Sequence, residues 1–157
     1  MRPGDRLVCA FIPPKSLGFN FKDWPLHITI VPWFRSEIST EELAHKLRLD
    51  LSKFDPIVVV MGESTNFGYN KNKEVNLVSL PSELMQLEKL VRKQIKSQKV
   101  WIADESTKIR RPFTPHVTAQ KNHRLKLGDK FMCDELYIIE QYGDYKLVSA
   151  VVGLDND

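Results

Sequence analysis

Two kinds of hydrophobic periodicity alternate along the 157-residue chain. RLVCAFI (6–12), closed by Pro13 and Pro14, predicts a first strand, and a Gly/Asn/Lys loop over 15–24 leads to a second, 26–32. There Leu26, Ile28 and Ile30 share one parity and His27 and Thr29 the other, so a strand would turn the two sets to opposite faces. Ser39 with Glu42 forms a capping box, and Leu43, Leu47 and Leu51 follow at helical spacing, predicting a helix over 39–54. The β-branched run 56–68 predicts a long strand, followed by the turn-like GYNKNKE and a strand over 75–80. Pro81 and Ser82 open a second helix over 81–98, with Leu84, Leu87, Val91 and Ile95 on one face. A charged stretch (104–111) runs to Pro112. Strands are expected at 115–120, 131–140 and 145–152, and the tail GLDND is expected to fray.

This order, β-β-α-β-β-α-β-β-β, predicts an α+β fold with mostly antiparallel pairing, in a single domain over 1–157. No linker or low-complexity segment divides it. A hydrophobic share of 42% and a charged share of 27% are those of an ordinary soluble globular protein. The net charge of +3 suits phosphate-bearing ligands but does not by itself argue for nucleic acid. Cys9 and Cys133 each sit in an apolar strand-like run and read as core residues in a reducing compartment. No apolar stretch approaches the roughly 20 residues that span a bilayer, and the N-terminus is a poor secretory signal. A cytoplasmic protein without a membrane partner is therefore expected.

A lone His and Thr on the polar face of a strand is ordinary. The pattern, however, occurs twice: PHVTAQ (115–120) places His116 and Thr118 on one parity and Val117 and Ala119 on the other. Each copy has a proline just upstream, Pro25 or Pro115. The chain holds four histidines and six threonines, and two of four histidines followed at i+2 by Thr is a chance event on the order of one in a hundred. The repeat also hints at a duplication, with one such strand in each half, although the halves share no broader identity.

His27-Ile28-Thr29-Ile30 and His116-Val117-Thr118-Ala119 resemble the paired His-x-Thr motifs of the two-histidine (2H) phosphoesterase superfamily. That group includes bacterial RNA 2′,3′-cyclic phosphodiesterases, also called 2′-5′ RNA ligase-like proteins. RPFTPHVTAQK (111–121) is similar to the usual context of the second motif, with Lys121 at the basic or aromatic position five residues after the His. The resemblance implies a bilobal α+β fold. Two antiparallel sheets would face a central cleft, helices would pack outside, and one motif strand from each pseudo-symmetric lobe would line the cleft.

The chemistry of such a site needs one proton removed from the attacking oxygen and one given to the leaving oxygen. Two imidazoles titrating near neutrality can share these tasks with no metal or cofactor. A hydroxyl two residues along the same face, roughly 6–7 Å away, supplies a fixed donor for the charge on the phosphoryl oxygens. The resemblance implies His116 as base toward water and His27 as acid toward the leaving 3′ oxygen. A 2′,3′-cyclic phosphate on an RNA end or nucleotide would open to a 2′-phosphate, and the reverse step would be 2′-5′ ligation. It also implies a monomer that meets RNA ends or nucleotides carrying cyclic phosphate or 2′-5′ linkages.

Further candidates flank the motifs. Lys121 and Arg111, with Arg110, could meet a polyanion or simply be solvated; Trp33, Phe34 and Phe113 could stack a base or belong to the core; Tyr145 could border the cleft. His45 reads as a helix-surface residue and His123 as a loop residue. Metal binding is the first rival, but neither motif has Cys, Asp or Glu within two residues of its His. The others are an RNA-end-binding module without turnover, and a phosphodiesterase for 2′-5′ or 3′-5′ linkages or cyclic oligonucleotides. Substrate choice would lie in the loops 13–24, 66–74 and 104–114. The chain looks short beside the better-known bacterial members, which favours small or terminal substrates.

Overall fold

The computed structural model describes residues 2–68, 70–105, 113–121 and 123–155. Ten strands and two helices appear among them: β1 (Arg6–Phe11), β2 (Asn20–Phe21), β3 (His27–Ser36), α1 (Thr40–Leu51), β4 (Ile57–Phe67), β5 (Lys73–Ser79), α2 (Ser82–Ile95), β6 (Val100–Ile102), β7 (His116–Thr118), β8 (Lys130–Cys133), β9 (Glu135–Tyr142) and β10 (Tyr145–Gly153). They form two antiparallel sheets, ordered β2-β10-β9-β1-β3-β6 and β7-β5-β4-β8. The α+β expectation holds. No helix among the described residues is long and apolar enough to cross a membrane.

Where strands and helices differ from expectation, pairing explains it. The run 131–140 is two strands, because the chain leaves the four-stranded sheet after Cys133 and joins the six-stranded one at Glu135. Hydropathy cannot reveal that change of sheet, since continuous apolar runs lie on both sides of Asp134. β3 continues four residues beyond the expected end, through Pro32. The register slips there, with Val8 opposite Val31 but Arg6 opposite Phe34, so the proline lies in a bulge, where strands tolerate it. β2 and β6 are too short to show a period. α1 stops at Leu51, before the expected end at 54, and Ser39 caps it by accepting from the Glu42 amide.

The main core joins the two helices to one face of each sheet. Val8, Ala10, Ile28, Ile30 and Ile138 from one sheet meet Ile57, Val59, Met61, Val78 and Val117 from the other, with Leu43, Leu47, Leu84, Leu87 and Val91 from the helices. The six-stranded sheet carries a second apolar cluster on its opposite face, built on Leu7, Cys9, Phe11, Phe21, Tyr137, Ile139 and Val148. Cys9 and Cys133 are buried free thiols. The sheets do not correspond to halves of the sequence, because β9 and β10 return to the sheet that holds β3.

Candidate active site

β3 begins at His27. Ile28 and Ile30 are fully buried in the main core, so the pleat turns His27 and Thr29 to the other face, opposite Phe11 and Cys9 of β1. The His27 Nδ1 lies 2.8 Å from the Pro25 carbonyl oxygen. A carbonyl can only accept, so Nδ1 carries the proton and Nε2 is left with its lone pair. The Trp24 indole stacks on the imidazole with ring centres 4.2 Å apart and planes 25° apart, and Phe11 approaches edge-on at 6.4 Å. Burial among these rings lowers the His27 pKa from its ordinary 6.5; the Pro25 carbonyl opposes the shift, and the charge of His116 adds to it.

β7 is a three-residue strand on the edge of the four-stranded sheet, with His116 opposite Leu77 and Thr118 opposite Val75. Val117 is buried in the main core, which turns His116 and Thr118 away from it. The His116 Nδ1 lies 2.7 Å from the Thr114 carbonyl oxygen and therefore donates to it. Pro115 favours an extended Thr114, holding that carbonyl in place. Phe67 meets the His116 ring edge-on, with centres 4.9 Å apart. β3 and β7 pack against each other. Each His-x-Thr pair thus comes from a different sheet, and each ring donates from Nδ1 to the carbonyl two residues upstream. The same local device is built twice.

Other expectations sort by which face of a strand they occupy. Trp33 is half-buried against the second cluster, 6.4 Å from Trp24, and so joins the aromatic wall behind His27. Phe34 does not: it is fully buried in the main core with the Arg6 guanidinium 5.4 Å over its ring, which leaves no face for a base. Phe113 is half-buried and packs on the main core rather than standing open as a platform. Tyr145 is corrected as well. It pairs with Tyr142 on the face of β10 away from His27, and the open groove of about 520 Å³ that it lines is completed by Asn20, Phe21, Lys22 and Leu147 at the β2 edge. Lys121 is exposed just beyond β7, and His45 and His123 are exposed as expected. Arg110 and Arg111 lie outside the described residues.

Sequence reasoning missed Trp24, Phe11 and Phe67. The prolines beside both motifs were a visible signal for the carbonyls that orient the rings; nothing local pointed to the aromatics. Among the described residues, no three His, Cys, Asp or Glu side chains gather into a group that could hold a metal ion.

The family model for the 2′-5′ RNA ligase superfamily matches residues 6–144 and so includes both motifs. The chain belongs to this superfamily. Solved structures share the superfamily fold. TT0787 of Thermus thermophilus is 15% identical with a TM-score of 0.59, over 98% of this chain and 99% of that one. LigT of E. coli complexed with 3′-AMP is 15% identical at 0.56, over 98% and 99%. LigT complexed with NADP+ is 16% identical at 0.56, over 99% and 100%. These matches run along nearly the whole of both chains. No curated protein sequence matches the chain. Superfamily members are phosphoesterases and ligases, which supports an enzyme.

Proposed function

We propose that this protein is a metal-independent phosphoesterase that opens 2′,3′-cyclic phosphates of RNA ends or nucleotides to 2′-phosphates, with 2′-5′ ligation as the reverse reaction. The observation that carries this reading is the doubled device: two His-x-Thr pairs on different sheets, each imidazole fixed through Nδ1 with Nε2 left for chemistry. A water oxygen adds to phosphorus and gives its proton to one Nε2. The bond from phosphorus to the 3′ oxygen breaks, and that oxygen takes a proton from the other ring. Thr29 and Thr118 donate to the non-bridging oxygens, where charge accumulates.

We assign His27 the acid role. Burial makes its imidazolium hold its proton weakly, and the bound phosphate anion supplies the charge that keeps the proton until the 3′ oxygen departs. His116 then takes the proton from water. The complex of E. coli LigT with 3′-AMP supports a nucleotide as ligand class.

The test is turnover of 2′,3′-cyclic nucleotides by wild type, His27→Ala and His116→Ala, with the product phosphate located and a chelator present in a parallel series. Both variants should be nearly inactive, the product should be the 2′-phosphate, and chelation should leave the rate unchanged. Near-wild-type turnover by either variant would overturn the paired-histidine mechanism. A substrate panel adding 2′-5′ oligoadenylate and 3′-5′ oligonucleotides separates the linkage-cleaving alternative. Binding of RNA ends without any product would show a binding module instead.

A further inference from the structure

The aromatic wall behind His27 continues away from the two histidines. Trp24 meets Phe21 with ring centres 5.0 Å apart, and Phe21 meets Phe19 at 5.5 Å. Two ammoniums lie over this strip: Lys15 Nζ is 5.1 Å from the Phe19 ring centre, and Lys146 lies over the two rings at the end that meets His27. Lys146 Nζ is 5.5 Å from the Trp24 ring centre and 5.7 Å from that of Phe21. Register agrees: Lys146 pairs with Phe21 of β2 and so shares its face, the face that bears His27. Nζ donates to the Lys22 carbonyl at 2.9 Å, and among the described residues it makes no ion pair. The nearby Asp144 is engaged by Lys22 at 3.2 Å. An ammonium has three donors, so Lys146 keeps donors and a full charge for a ligand while two ring faces and a carbonyl fix its place.

We propose that Lys146 binds a second phosphate of the substrate, about one nucleotide from the phosphate held between His27 and His116. The Trp24 indole meets both groups, the His27 ring at 4.2 Å and the Lys146 ammonium at 5.5 Å from its ring centre, so one indole adjoins both phosphate sites. The substrate class this selects is a nucleotide chain end, or a nucleotide with a phosphate at each end, over a lone cyclic nucleotide. The proposal rests on the reading of the His-x-Thr pairs as a phosphate site and adds a length requirement to it.

The test compares, by calorimetric titration, a nucleoside 2′-phosphate with the corresponding 2′,5′-bisphosphate. Wild type should bind the bisphosphate about tenfold more tightly, as one charge-assisted contact implies. Lys146→Met, which keeps the stem against the rings, should lose that preference. Lys146→Arg should retain most of it, and the wild-type preference should shrink as salt rises. Equal affinities in wild type overturn the proposal, as does a preference that survives in Lys146→Met. The wild-type comparison decides the matter even if the variant fails to fold. Failure of wild type to bind the monophosphate would instead overturn the phosphate-site reading beneath it, and the Lys146 site with it.

Discussion

The Trp24 indole lies flat against the His27 imidazole, 4.2 Å from centre to centre. One whole face of the ring is thereby closed to water, and the charged form of His27 is disfavoured. Replacing Trp24 with Leu should raise the His27 pKa toward 6.5, read directly from the ring proton resonances in an NMR titration. If His27 is the acid, the alkaline limb of the kcat/KM profile moves up with it. Movement of the acidic limb instead would exchange the roles of the two histidines. A titration midpoint that does not move would show that the indole is not what desolvates the ring.

The same shift predicts a pH-dependent stability. Above pH 6.5 His27 is neutral in both the folded and the unfolded chain, and the shift has no effect. As pH falls through 6.5, the unfolded chain takes up a proton that the folded site resists, so stability declines until the lower folded pKa is passed. The urea midpoint of wild type should therefore fall more steeply than that of His27→Gln between about pH 7.5 and about pH 5. Parallel curves would mean that the burial of His27 is not coupled to folding.

The motif strands were legible because their anchors are strong: Ile28 and Val117 are buried in the main core, and the pleat then determines where His27, Thr29, His116 and Thr118 point. What escaped depends on contacts distant in sequence. Tyr145 and Lys146 are adjacent, and only the pairing of β10 with β2 decides which of them shares the face of His27. Phe34 looked like a flanking aromatic, but the bulge at Pro32 changes the alternation and delivers it to the core. Trp24 sits in a loop that sequence could not orient, and the partition at Asp134 is a property of sheet topology alone.

The two threonines should prove separable from folding. Neither hydroxyl is needed by the core, because both side chains lie on the half-buried face. Thr29→Ala and Thr118→Ala should each lower kcat by about 10²-fold while moving the urea midpoint little, and Ser at either position should restore most of the rate. A Ser variant as slow as the Ala variant would assign the methyl group, not the hydroxyl, the important role.

Arg92 of α2 offers a stability prediction with an internal control. Its side chain is 7% exposed, and its guanidinium binds Glu88 at 2.6 Å, Asp104 at 2.7 Å and Glu105 at 2.7 Å. These contacts tie α2 to the turn that follows β6. Asp104 and Glu105 are more open to solvent, but the Glu88 side chain is only 6% exposed, so the loss of Arg92 leaves a buried carboxylate without its cation. Arg92→Met should cost about 3 kcal/mol, measured by urea unfolding. Adding Glu88→Leu should recover much of this, because the penalty is an orphaned charge rather than a lost contact, and a hydrophobic pair can replace a buried ion pair. If the double variant were as unstable as the single one, the ties to Asp104 and Glu105, not the Glu88 pair, would be what anchors the end of α2.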